Sequence, residues 1–301
     1  MAKTQGGQGL SLPVVRPIAS ARQATTSRRR RLPKGAGVYF IAVPIFVLMI
    51  LPYLYLLAQS LAPWDQVDRV FVPSAFTLRS YIWVWTGGNF IAQPWLQAFF
   101  NSTLVTVVDS ISVVAIGGIV GYGLAVLRFR GQRTINNFIL FQMFYPAIIL
   151  LVPTFLLIRA AGIYDTYWAM ILPRLVGLWA IFMYTSFFRS VPLEVIEAAR
   201  IEGLSEIGII FRIMVPISRS ITTIIFLFVF MERWTELLWD LIVVKNPNIQ
   251  TLNVLLSTMF GPYGSYPGPL YAAGVLLTFP ILVLFIIFSR NFVNGIQLVL
   301  R

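Results

Sequence analysis

Six stretches of this chain run for about 20 residues or more and are predominantly apolar. They lie at Val38–Leu61, Gln97–Leu127, Thr134–Ile158, Thr166–Phe188, Ser220–Val243 and Pro269–Ser289. At about 1.5 Å of rise per residue, each is long enough as a helix to cross the hydrocarbon of a bilayer. The second and third carry Asp109, Pro146 and Pro153, which suits helices packed in a bundle rather than bathed in lipid. The reading is an all-α integral membrane protein of six transmembrane helices.

Composition agrees. The chain is 58% hydrophobic and 11% charged, with a mean hydropathy of +0.80, where soluble domains are about 45–50% apolar and about 25% charged. A soluble body of this size would lack the charge to coat its surface. Soluble enzymes and nucleic-acid readers are therefore excluded, despite a formal net charge of +12. There is no His and no Cys. That removes thiolate and imidazole metal sites, haem with a His ligand, disulfides and every Ser-His or Cys-His dyad. No metal site and no catalytic residue are expected.

Positive charge orients the bundle. With the N-terminus in the cytosol, segments 1–37, 128–133, 189–219 and 290–301 hold 17 Lys and Arg, while 62–96, 159–165 and 244–268 hold 4. Both termini are expected in the cytosol. Residues 1–37 contain no acid and carry Arg28 to Arg31 in a row, a composition shared with transit peptides. Pro13, Pro17 and Pro33 break any long amphipathic helix, and the apolar run after them is too long for a signal segment. The expectation is a disordered cytosolic arm.

The 189–219 loop is too long for a mere connection and is not disordered in composition. Pro192 is placed to open a helix, Gly203 to stop it, and Ser205 to cap a second one. Val195, Ile196, Ala199 and Ile201 form an apolar side, leaving Glu194, Glu197 and Arg200 at i, i+3 spacing on another. Two short helices meeting at a glycine, with charges facing the cytosol, make a docking element.

Here the residues carry a family resemblance. Glu197-Ala198-Ala199, then Gly203, then Ile213 and Val215-Pro216 match in spacing the EAA loop of the membrane subunits of ABC importers. The one departure is Val215 where the pattern has Leu. Phe100-Asn101-Ser102, Arg128-Phe129-Arg130-Gly131, Gly162-Ile163-Tyr164-Asp165-Thr166 and Asn291-Phe292-Val293 with Gly295 look like the carbohydrate branch. Within it they resemble the six-span, maltose-type partner of a heterodimeric permease. The resemblance covers residues 38–301 and implies the type I ABC importer permease fold.

It also implies a role. The loop would be a coupling helix seated in a cytosolic ATPase subunit, with Glu197, Ala198, Ala199, Arg200, Gly203 and Pro216 as the coupling residues. Glu197 would meet a basic residue of the ATPase, and Pro216 would start the return to the membrane. The implied assembly has a second permease subunit, two cytosolic ATPase subunits and an extracytoplasmic solute-binding protein in a bacterial or archaeal inner membrane. The chain has no phosphate-binding loop, since Lys3 alone precedes a Thr. It is not expected to be an enzyme or to hold a cofactor of its own; ATP and Mg would sit on the ATPase partners.

Charges inside spans nominate a solute path. Glu232, Glu236 and Asp240 are four apart, hence on one face if the fifth span is one helix. With Arg233, Trp234 and Trp239 they offer carboxylates beside aromatic faces, which suit a sugar. Equally, they could form a salt-bridged seam with Arg174 or Arg233. Two guanidiniums, Arg174 and Arg233, also point to an acidic solute unless Glu232 and Glu236 neutralise them. In the outer loop 244–268, the resemblance implies that Phe260, Tyr263 and Tyr266 contact the binding protein, the other reading being an ordinary lid over the bundle. An ion-coupled secondary transporter is the alternative, but the two halves show no self-similarity. A membrane-embedded enzyme would rest on isolated carboxylates such as Asp109 with Glu232.

Overall fold

The structure, a computed structural model, describes residues 36–86, 95–258, 260–261, 264–265 and 267–299. The basic arm falls outside these residues except at its end, as do Tyr263, Tyr266 and the side chain of Phe260. The chain divides into two units, Met1–Met49 and Ile50–Arg301. The described part of the first is the uncharged opening of helix α1; the second holds the rest of α1 and every later element.

The helices are α1 (Ala36–Ser60), α2 (Arg79–Thr86), α3 (Trp95–Val126), α4 (Gln132–Met143), α5 (Leu151–Ala160), α6 (Tyr167–Ile171) and α7 (Leu178–Arg189). They continue with α8 (Leu193–Ile201), α9 (Glu206–Ile209), α10 (Val215–Ile217), α11 (Arg219–Trp234), α12 (Leu238–Val243), α13 (Leu252–Thr258) and α14 (Pro267–Val299). The fold is all-α as read from the sequence; its one minor addition among the described residues is a two-residue antiparallel pairing of β1 (Phe260–Gly261) with β2 (Gly264–Ser265).

Among the described residues, four helical segments are long and apolar enough to cross a membrane: Val38–Ser60, Trp95–Val126, Tyr167–Arg189 and Pro267–Ser289. Two bent pairs raise this to six if each is one span. The stretch read as one helix over Thr134–Ile158 turns by 97° between α4 and the run Ala147–Ala160. Pro146 sits in that break with an extended backbone (ψ 120°), as expected of a residue that cannot donate to the preceding turn. The second pair, Glu206–Ile217 with Arg219–Trp234, bends by 82°. A wide turn at Ile210–Met214 precedes Pro216 there, and π-type turns of this kind relieve the lost backbone bond.

Helix α3 is the spine. It packs closely on α7 because Gly121 leaves no side chain between them: a Cβ there would lie 2.6 Å from the Tyr184 Cβ. In lipid, where apolar faces gain little by meeting, such small-residue crossings let backbones approach and gain dispersion energy. The Tyr184 hydroxyl, buried at this crossing, donates to Thr222 Oγ1 at 2.8 Å and ties α7 to α11. Phe230 stacks on Trp234, and Trp234 donates from Nε1 to the Leu277 carbonyl, joining α11 to α14.

Candidate functional site

Two networks of charge stand out. The first lies where α11 ends. Sequence spacing places Glu232, Glu236 and Asp240 on one face, but the helix stops at Trp234 and restarts as α12 at Leu238. The three carboxylates therefore separate. Glu232 is 74% exposed, Glu236 is mostly covered, and Asp240 is buried. The break is held from elsewhere in the chain. Asn253 Nδ2 donates to the Trp234 carbonyl at 2.6 Å and to the Glu236 carbonyl at 3.3 Å. Glu236 Oε1 accepts from the Trp239 N–H at 3.1 Å, capping α12 with a carboxylate where a helix start favours one.

Arg233 is the buried hub. Its Nε donates to Asp109 Oδ2 at 2.7 Å, and its two terminal nitrogens donate to Asp240 at 3.0 and 2.9 Å. Thr251 adds a hydroxyl to Asp240 Oδ2 at 3.1 Å. All three ionic partners are almost fully covered. A guanidinium in such a place needs bidentate pairing to offset its desolvation. Arg174 pairs with Glu232 at 3.2 Å and with Glu236. Both guanidiniums that sequence reading offered to an acidic solute are thus engaged by this chain's own carboxylates.

These groups border a hollow of about 570 Å³, lined among others by Asp109, Arg174, Trp179, Glu232, Glu236 and Trp239. A second hollow of about 540 Å³ shares Trp179, Val229 and Glu232 with it. Of the residues nominated for a path, Glu232, Arg233, Glu236 and Trp239 border the first hollow. Asp240 stands behind Arg233, and Trp234 is packed in the core between α11 and α14. Asp109, isolated in the sequence, belongs to the site; only its position in a span signalled it.

The second network is in the loop. α8 ends at Ile201 with Glu202 as its cap, Gly203 turns the chain with φ +85°, and Ser205 Oγ accepts from the Gly208 N–H at 3.2 Å to cap the next helix. Glycine is suited to that left-handed conformation because it has no Cβ to clash. Ile196 and Ala199 are buried against the bundle, in one core with Tyr122, Phe188 and Met214. Glu197, Ala198 and Pro216 are exposed. The buried stripe is narrower than the sequence suggested: Val195 is exposed and Ile201 is 88% exposed, because Gly203 turns the chain away just after it.

Arg200 is not free either. Its Nε donates to Glu206 Oε1 at 2.8 Å, while Tyr122, near the end of α3, donates its hydroxyl to Glu206 Oε2 at 2.5 Å. The Arg200 bond first, and the Tyr122 bond second, hold the Glu206 carboxyl below its ordinary range. One carboxylate thereby links α8, α9 and α3. Neither Tyr122 nor Glu206 was singled out from sequence, since 84 residues separate them.

At the other end of α3, Asn101 Nδ2 donates to the carbonyls of Asn248 and Gln250, both at 2.9 Å. Asp165 Oδ1 accepts the N–H groups of Lys245 and Asn246 at 2.8 Å. Two of the stretches that carried the family resemblance hold the 245–250 segment in place.

Comparisons with known proteins agree with this architecture. Residues 113–297 match the family model described as binding-protein-dependent transport system inner membrane component. The arabinooligosaccharides transport system permease protein AraQ of Bacillus subtilis is 30% identical over 270 residues, covering 86% of this chain and 95% of that protein. The lactose transport system permease protein LacG of Rhizobium radiobacter is 29% identical, covering 90% and 97%. A crystal structure of a bacterial ABC transporter involved in the import of the acidic polysaccharide alginate superimposes with a TM-score of 0.75 at 20% identity, over 85% of this chain and 95% of its counterpart.

Proposed function

The chain belongs to the family of binding-protein-dependent transport system inner membrane components, and from that premise we propose that it is one permease half of an ATP-driven importer of a sugar or oligosaccharide. The relatives named for arabinooligosaccharides and lactose support the solute class. They favour this reading over an ion-coupled secondary transporter.

The observation that carries the mechanism is the loop. A helix whose inner face, Ile196 and Ala199, is locked to the bundle presents Glu197 outward one turn from exposed Ile201, and the segment after Gly203 exposes Ile207 and Phe211. Exposed apolar side chains together with the exposed carboxylates Glu194, Glu197 and Glu202 make a surface that another protein covers, with the charges fixing register. Its partner in this reading is a cytosolic ATPase subunit. A basic side chain there meets Glu197, and closure of the ATPase pair pushes on α8. ATP and Mg are held by those subunits, since no residue of this chain offers a phosphate-binding loop.

Load on α8 is passed inward through Ile196 and Ala199 and through the Glu206 bond to Tyr122 on α3. At its far end α3 holds the 245–250 segment. Alternating access then comes from rocking of this bundle against a second permease subunit, with the binding protein delivering solute at the face opposite the loop. The termini lie on the loop side, in the cytosol, by the charge bias. Phe260, Tyr263 and Tyr266 are the proposed contacts with the binding protein.

Co-purification from native membranes, followed by ATPase assay with and without Glu197→Lys, tests this. An ATPase subunit that accompanies the chain and is detached or uncoupled by the charge reversal is the expected result. A chain that purifies without any ATPase returns the secondary transporter to the lead.

A further inference from the structure

The charges around the two hollows do not balance. The first is lined by Asp109, Glu232 and Glu236 against Arg174 and Arg233, and Asp240 is bound to Arg233 from behind. Four carboxylates face two guanidiniums, a formal charge of −2. The hydrogen bonds decide where that excess is felt. Arg233 spends Nε on Asp109 and both terminal nitrogens on Asp240, and Arg174 is shared between Glu232 and Glu236. Arg233 is buried with its carboxylate partners, and the charge of Arg174 is offset by the two carboxylates it bridges. The carboxylates at the wall do have capacity to spare. Glu232 is largely open and borders both hollows, and Glu236 borders the first, while Asp109, only 1% exposed, contributes its charge from within the wall.

Beside these acceptors stands Trp179, which also borders both hollows and is braced edge-on by Phe228 at 5.7 Å between ring centres. An aromatic face next to open carboxylates matches a solute with hydroxyl donors on its edge and C–H groups on its face. It mismatches a polyanion, whose carboxylates or sulfates would meet like charge in a site of low dielectric.

We propose that this wall is an electronegative filter: it passes uncharged glycans, taking their hydroxyls on Glu232, and disfavours polyanionic ones. The inference rests on the reading of the hollows as part of the solute path. It assigns this subunit a direct part in selecting the solute.

The absence of cysteine from the chain allows a direct test with charged probes. Val176 borders the first hollow and is half exposed, so Val176→Cys places one thiol at the wall. The assembled importer in lipid nanodiscs is treated with a cationic trimethylammonium methanethiosulfonate and with its anionic sulfonate counterpart. Ser190→Cys, exposed at the end of α7, is the reference.

The cation should react faster than the anion by about tenfold more at Val176→Cys than at the reference, as a focused field of this sign requires. Adding Glu232→Gln should bring the two ratios closer. Equal ratios at the two cysteines, or a faster anion at Val176→Cys, overturn the filter and leave the path intact. If neither probe reacts at Val176→Cys while both react at Ser190→Cys, the hollow is not open to solute and the path reading falls with the filter.

Discussion

The Arg233 hub and the Glu206 link are built from the same parts, an arginine and carboxylates with a hydroxyl donor added. Their settings differ. The three ionic side chains of the hub are at most 3% exposed, whereas Arg200 and Glu206 are 39% and 42% exposed. Water can replace a lost partner in the loop and cannot do so in the hub. The hub therefore fixes a shape, the break between α11 and α12, while the loop link, in the function proposed above, joins parts that carry a load and can be remade after each cycle.

The largest effect should come from breaking the hub. Arg233→Met leaves Asp109 and Asp240 buried without a counter-charge, a situation that costs about 3–5 kcal/mol. The variant should lose a large share of its thermal stability in detergent, read by the unfolding midpoint. Adding Asp109→Asn and Asp240→Asn should restore much of it, because uncharged groups of similar size remove the repulsion and most of the desolvation cost. If the single variant melts like the parent, water reaches the hub and the contrast with the loop disappears.

That contrast also marks where sequence reading succeeds. The loop is legible because its signals are local: Pro192, Gly203 and Ser205 act on their own neighbours. The spaced Glu-Ala-Ala and Gly pattern lies within a single short segment. The break after Trp234 has no such mark. No Gly or Pro occurs between Glu232 and Asp240, and regular spacing made the three carboxylates look like a stripe. What ends the helix is Asn253, folding back on the carbonyls of Trp234 and Glu236, with Arg233 held across to Asp109 on α3. Tertiary bonds overrode a good helical pattern, and pairs 124 residues apart leave no trace in local periodicity. The bend at Pro146 lies between these cases: the residue was noticed, but an isolated proline in a span does not state the angle.

A smaller effect should result from cutting the loop link on its α3 side. Tyr122→Phe removes the hydroxyl that reaches Glu206 and leaves Arg200 in place. A hydrogen bond to a charged group contributes about 1.5–3 kcal/mol when covered, and less here because the carboxylate is partly wet. The expected result is a nearly unchanged melting midpoint with fewer solutes moved per ATP hydrolysed in reconstituted vesicles. A parental transport-to-ATP ratio in Tyr122→Phe removes Glu206 from the load path and leaves Ile196 and Ala199 to carry it.

The smallest effect is one of pH, and it separates the two networks most cleanly. Glu206 is held below its ordinary value by Arg200 and then Tyr122. A carboxyl lowered in the folded state stabilises that state fully above its unfolded value of about 4.3, and the contribution fades as pH falls through the folded value. The difference in melting midpoint between the parent and Glu206→Gln should therefore be widest near neutral pH and narrow as the medium is taken down through the carboxylate range. Because the same importer is compared with and without one carboxyl, other titrations cancel between the two. A gap that stays constant down to the lowest pH the assembly survives shows that Glu206 acts through its shape and not its charge, and the link would then be a packing contact like those around Ile196.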